Sequence, residues 1–152
     1  MPPMTTDGSF SKLFVPHGQF EAYVEGRLVI SQVTGPWNKE LIDEWAQALH
    51  PLAKAVSADG PHVGIAIIHR SLLCPPDALE GLRKVVLYSV RRMDNIGHAI
   101  VADPSVEGRK LLVQTFARIY EGVVPYRLFD NLPAAKEWGH GLLLECMERR
   151  KQ

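Results

Sequence analysis

The stretch HVGIAIIHRSLLCPPDALEGL, residues 62–82, decides the fold of this chain. Its first eight residues are almost continuously apolar, a pattern typical of a strand buried on both faces of a sheet. After a short polar and proline-containing segment, apolar residues recur at helical spacing and predict a helix through about Met93. Asp77 and Glu80 have the spacing of a capping box at the start of that helix.

Upstream of this stretch, two runs rich in β-branched and aromatic residues flank Glu25-Gly26 and predict a hairpin with strands near 19–24 and 27–34. Asn38 is then the predicted N-cap of a first helix, which ends near 58–61. Pro51 lies inside this helix and is expected to kink or divide it, because proline removes a helical hydrogen bond.

Downstream, NIGHAIVA at 95–102 repeats the buried-strand pattern. Asp103-Pro104 predicts the start of a third helix that ends at Gly122. The run PYRLFD at 125–130 predicts the last strand, and residues 131–151 predict the last helix. The predicted order is therefore ββαβαβαβα.

Regular alternation of strands and helices indicates an α/β fold, with a mostly parallel sheet of four to five strands and four helices. The first hairpin is antiparallel. The 152 residues suit one domain, at 17–152, preceded by a flexible N-terminal tail at 1–16.

Small residues are expected to occupy one side of the two central strands, with Gly64 and Ala66 on one strand and Gly97 and Ala99 on the other. Glycine in a strand interior often marks a place where another part of the structure comes close. A packed helix is the simplest explanation, and a ligand cavity or a dimer partner are the alternatives.

The amino-acid composition indicates which classes of partner are expected. Lysine plus arginine equal aspartate plus glutamate, at 17 each, so no overall charge favours nucleic acid or an anionic membrane. No secretory signal is expected, because residues 1–12 lack a basic segment followed by an apolar one. No apolar run reaches the roughly eighteen residues that a membrane span needs. With only two cysteines, a reducing cytoplasm is expected. A small apolar ligand or a protein partner fits best, and a homodimer is a further possibility.

Four segments together resemble the STAS superfamily, specifically its SpoIIAA-like branch of small bacterial proteins. They are GRLVISQVTGPWNKELIDEW at 26–45, GIAIIHRS at 64–71, GHAIVADP at 97–104 and YRLFDNLPAAKEW at 126–138. The last segment resembles the family's ending through Phe129, Ala135 and Trp138. The resemblance implies a STAS-like domain at 17–152 that acts as a binding or regulatory module rather than an enzyme.

In the wider superfamily, anti-sigma-factor antagonists bind a kinase partner and are switched by phosphorylation of a serine at the end of the central strand. Ser71 approximates that position. The switchable members have aspartate before the serine and small residues after it, whereas this chain has His69-Arg70 before it and Leu72-Leu73 after it. The resemblance therefore supports the fold more than the phosphorylation switch.

In open α/β sheets, ligands bind at the loops that follow the carboxyl ends of the strands. In this chain those loops are 35–38, 69–77, 103–105 and 130–133. The candidate binding or regulatory residues in them are Trp37, His69, Arg70, Ser71, Cys74 and Asp103. A phosphate on Ser71 would lie near a helix N-terminus and the guanidinium of Arg70.

The alternative function is a small enzyme that uses Cys74 or His69 in the same crevice. A helix N-terminus and nearby basic side chains lower the pKa of a thiol, although the leucines and prolines around Cys74 favour an inert cysteine. No metal site or cofactor is predicted. His62 and His69 lie at opposite ends of one strand, and His98 could neighbour only His62.

Overall fold

The computed structural model describes residues 12–14 and 20–152. The strands are β1 (Lys12–Phe14), β2 (Phe20–Glu25), β3 (Leu28–Thr34), β4 (His62–His69), β5 (Asn95–Val101) and β6 (Tyr126–Phe129). The helices are α1 (Lys39–Ser57), α2 (Pro76–Arg92), α3 (Arg109–Tyr120) and α4 (Leu132–Arg150). No helix in this part of the chain combines the length and the apolar character needed to cross a membrane.

The six strands lie side by side in the order of the sequence. The pairs β1–β2 and β2–β3 are antiparallel, and the pairs from β3 to β6 are parallel. The predicted α/β class, the mostly parallel sheet and the four helices are therefore confirmed. The predicted element order lacked β1, a strand of three residues that is too short to show an alternating pattern. The rest of the predicted tail at 1–16 lies outside the described residues.

The predicted capping box of α2 is wrong, and of the two alternatives predicted for Pro51 the division of the helix does not occur. Pro51 does not divide α1, which runs unbroken from Lys39 to Ser57. Asp77 and Glu80 do not form a capping box, because α2 begins at Pro76 and has no side-chain cap. The Asp77 carboxylate instead accepts a hydrogen bond from the backbone N–H of Ala78, at 2.8 Å. The predicted cap of α1 is confirmed, since Asn38 Oδ1 accepts from the N–H of Leu41 at 2.7 Å.

The third helix begins at Arg109, six residues after the predicted start at Asp103. Asp103 Oδ1 accepts hydrogen bonds from both the backbone N–H and the hydroxyl of Ser105, at 2.9 and 2.7 Å. Such local bonds from an aspartate favour a turn over a helix. The loop then runs back past β4, where Ser71 forms an isolated parallel bridge with Glu107.

The sheet has a three-helix face, covered by α1, α2 and α3, and an α4 face. Right-handed crossovers put the three connecting helices on the same side, so the opposite side is left to α4. Parallel register pairs Gly64 with His98 and Val63 with Gly97. Gly64 therefore lies on the three-helix face and Gly97 on the α4 face. The prediction that the small residues of the two strands share one side is wrong, because the parallel register pairs each glycine with a non-glycine neighbour.

Candidate functional site

A cavity of about 300 Å³ lies between α1, α2 and the three-helix face of the sheet. It is close to the amino ends of β4 and β5, where His62 and Asn95 begin their strands. Most of its wall is apolar. The apolar lining side chains from β3, the two helices and the C-cap of α2 include Val29, Trp45, Ala46, Leu49, Ala53, Val85, Val86 and Met93.

Gly64 and His98 form part of the cavity wall and lie in register on neighbouring strands. A Cβ atom at position 64 would lie 2.8 Å from Cδ2 and 3.3 Å from Nε2 of the His98 ring. The imidazole edge carrying these two atoms therefore lies against Gly64. The absence of a side chain at this position lets the ring occupy the space over β4.

The buried inner wall of the cavity carries the polar side chains of His62, Asn95 and His98, and all three are uncharged. Burial lowers the pKa of both His62 and His98 to about 4, so both imidazoles are neutral near pH 7. The side-chain oxygen Oδ1 of Asn95 accepts from the backbone N–H of Gly97 at 3.0 Å, and Nδ2 of the same side chain lies 3.4 Å from Nε2 of His62. These bonds fix the orientation of the Asn95 side chain.

A second, much smaller void of about 10 Å³ adjoins this wall, because Trp45 and His98 line both spaces. Trp37 and Tyr120 also line the void. Three buried polar atoms in its lining residues, Nε1 of Trp37, Nδ1 of His98 and the hydroxyl of Tyr120, have no hydrogen-bond partner within the described chain. Since buried polar groups are usually paired, this part of the core has unusual unused hydrogen-bonding capacity.

Aromatic stacking holds the His98 ring in place. Its centroid lies 5.0 Å from that of Tyr120, which in turn stacks on Tyr126 at 4.4 Å. Tyr120 is only 1% exposed. The orientation of His98 is thus fixed from the α3 side as well as by the close approach to Gly64.

The outer rim of the cavity is polar and exposed. His50 of α1 and Tyr88 of α2 approach each other with ring centroids 5.9 Å apart. Lys84 is also exposed on α2 and lines the same rim. The rim therefore carries the ammonium group of Lys84. The inner wall carries the neutral imidazoles of His62 and His98 and the side-chain amide of Asn95.

The predicted loop after β4 lies at the other end of the strands and does not line the cavity. His69 and Arg70 are exposed, and Nε2 of His69 lies 3.0 Å from Oε1 of Gln32. Ser71 is 3% exposed and donates its hydroxyl to the Glu107 carboxylate at 2.8 Å. Phosphorylation of Ser71 stays a prediction, and the phosphate would have to displace this carboxylate.

The remaining predicted site residues are dispersed. Burial, reinforced by the charge of Asp77, raises the pKa of Cys74 to about 11, opposite in direction to the shift expected for a nucleophile. Trp37 is a core residue, packed edge to face on Trp45 at 5.5 Å, and it touches only the small void. Asp103 caps its exposed turn, where hydrogen bonds from Ser105 lower the pKa of its carboxyl group.

Sequence reasoning gave no site role to Asn95 or to the pair of histidines at 62 and 98, and it named a ligand cavity at Gly64 only as an alternative to a packed helix. The sequence does carry a signal, because the strand positions of His62 and His98 allow the two histidines to be neighbours. Across residues 12–14 and 20–152, however, no group of three potential metal ligands occurs. The histidines instead belong to the wall of a mainly apolar cavity.

Comparisons with protein-family models, with curated proteins and with solved structures gave no match. The resemblance to the STAS superfamily therefore remains an interpretation of the sequence pattern.

Proposed function

We propose that this protein is a non-enzymatic, STAS-like binding module that holds a small, mainly apolar molecule in the cavity between α1 and α2. The observation that carries this proposal is the cavity itself, about 300 Å³ in volume and walled mainly by apolar side chains. Small-molecule sites generally combine an apolar lining with a few placed polar groups, and this volume falls at the lower end of their range.

The size of the cavity argues against an ordinary packing defect. Protein interiors are close-packed, and voids larger than a water molecule are few in each domain. An apolar cavity of roughly 150 Å³ is already large enough to bind benzene. Two alanines, Ala46 and Ala53, face this cavity from α1, where larger side chains could have filled it.

Ligand binding at this place would also have a mechanical consequence. Both α1 and α2 line the cavity. A ligand that binds only the folded protein therefore stabilises the arrangement of these two helices. The loop between β4 and α2, where the STAS resemblance suggests a partner surface, leads directly into α2. A bound molecule could in this way bias the surface that a protein partner meets.

The proposal is tested by measuring the binding of an apolar probe to the intact protein and to a variant in which a larger side chain fills the cavity. N-phenyl-1-naphthylamine is an uncharged apolar fluorophore, and we expect saturable binding to the intact protein. Ala53→Leu adds three carbons to a buried residue of the wall and should abolish this binding. Ala55→Leu makes the same change at an exposed position of the same helix and should leave it unchanged.

Two results would contradict the proposal. One is fluorescence that rises linearly with protein concentration and never saturates. The other is identical affinity in the intact protein and in both variants, which would place the probe outside the cavity. Circular dichroism of each variant establishes that the comparison is made between folded proteins.

A further inference from the structure

The cavity has two chemically different ends. His50 and Lys84 lie at the exposed rim, where water solvates their polar groups. His62, Asn95 and His98 lie at the buried inner wall. The titratable groups among the lining residues are the three histidines, Lys84 and Tyr88, so no buried side chain of the wall carries a charge near pH 7.

His98 is a buried polar group of the inner wall that also borders the smaller void. Its Cδ2–Nε2 edge lies along the wall at Gly64, and its Nδ1 is buried without a partner in the described structure. A neutral imidazole has one nitrogen that donates and one that accepts. It can therefore satisfy either a hydroxyl or a carbonyl oxygen.

We propose that the cavity selects an uncharged molecule with an apolar body and a single hydroxyl or carbonyl oxygen, and that this oxygen is buried beside His98. This inference rests on the proposed function, and it specifies both the class of ligand and its orientation. The apolar body lies against the side chains of α1 and α2, and the oxygen is at the inner end.

Electrostatics exclude a charged group from that inner end. Burying a carboxylate or an ammonium without an opposite charge costs far more than burying a hydroxyl that finds a hydrogen bond. Lys84 cannot supply the opposite charge, because it is exposed at the rim. A ligand carboxylate at the rim would gain little from an ion pair with Lys84, because water solvates both groups. In that orientation the ligand would also leave His98 without a hydrogen-bond partner.

The experiment is displacement of N-phenyl-1-naphthylamine at pH 7.5 by four six-carbon compounds: 1-hexanol, 2-hexanone, n-hexane and hexanoate. We expect hexanol and hexanone to displace the probe at concentrations at least tenfold lower than hexanoate. If hexanoate displaces it as well as hexanol does, the inference is overturned while the binding function stands. If the probe itself does not bind, the proposed function fails first.

A variant identifies the residue that recognises the oxygen. His98→Phe keeps an aromatic ring but removes both nitrogens, so hexanol should lose about tenfold in affinity relative to n-hexane. His140→Phe makes the same change at an exposed position of α4 outside the cavity and should not change that ratio. An unchanged ratio in His98→Phe would show that His98 does not bind the oxygen.

A measurement on the intact protein covers the case in which His98→Phe does not fold. The imidazole nitrogens of His98 are observed by nitrogen-15 magnetic resonance during titration with hexanol and with n-hexane. Hexanol should shift these resonances and n-hexane should move them much less. Equal shifts from the two compounds would rule out a hydrogen bond between His98 and the hydroxyl.

Discussion

Each face of the sheet has a glycine in a central strand, but different groups occupy the space above the two glycines. On the α4 face, a Cβ atom at Gly97 would lie only 2.5 Å from Cδ1 of Leu142, so a helix side chain fills the space over the glycine. On the three-helix face, the space over Gly64 is taken by the ring of His98 from the neighbouring strand. The helices above it enclose a cavity.

This difference shows that a glycine in a buried strand indicates a close approach without indicating what approaches. Gly139 makes the α4 face tighter still, because it brings the helix backbone close to Leu28 and Val63. On the three-helix face, histidines and an asparagine occupy wall positions that lack a helix side chain above them. The α4 face is a packed core, whereas the three-helix face combines a packed core with the cavity.

The largest expected effect is a loss of stability in acid that originates on the three-helix face. His62 and His98 have pKa values of about 4 in the folded protein, against an ordinary value of 6.5. Between these values the unfolded chain binds protons that the folded protein does not. Stability is therefore full above pH 6.5, and together the two groups should remove about 4 kcal/mol between pH 7.5 and pH 5.

Urea unfolding at a series of pH values measures this loss. His98→Phe removes one of the two groups, so its stability should fall by about half as much over the same range, on the order of 2 kcal/mol. A free energy of unfolding that stays constant from pH 7.5 to pH 5 in the intact protein would mean that the histidines are not buried as described.

The second prediction compares one substitution on both faces. Ala135 of α4 is completely buried in the packed face, so Ala135→Leu should overpack it and cost about 1–3 kcal/mol. Ala53→Leu projects into the cavity and should be neutral or stabilising by up to about 1 kcal/mol. Chemical denaturation of the two variants measures the difference, and equal costs would remove the contrast between the faces.

The smallest expected effect concerns two glycines of α4. Gly141 has open space around it, so Gly141→Ala should stabilise the helix by about 0.5–1 kcal/mol. A Cβ atom at Gly139 would lie 3.1 Å from Leu28 and 3.3 Å from Val63, so crowding should cancel or exceed the same gain. Thermal unfolding should rank Gly141→Ala above Gly139→Ala, and the reverse order would contradict tight packing on the α4 face.

Much of the fold was predictable because its signals are local. The two central strands read as apolar runs of strand length, and the Asn38 cap followed from one side chain and its spacing to the next turn. The errors were local as well. Asp103 had the composition of a helix start, but its bonds to Ser105 stabilise a turn and delay α3 until Arg109.

The candidate site was less predictable than the fold. The loop around Ser71 and Cys74 attracted attention because it gathers hydroxyl, thiol, imidazole and guanidinium groups within a few residues. In the structure, Ser71 is bonded to Glu107, and the pKa of Cys74 is raised. The residues of the cavity come from β3, β4, β5 and two helices, and no short segment contains them.

The sequence by itself determined the α/β class, the order of the central strands and helices along the chain, and the small residues of the sheet. Hydrophobic periodicity and capping act over a few residues, so they can be recognised without the fold. Only the tertiary structure decided that Gly64 and Gly97 lie on opposite faces, that α4 fills one of them, and that His98 borders a cavity on the other. Register and helix packing join residues dozens of positions apart, and this is where the wall of the site is made.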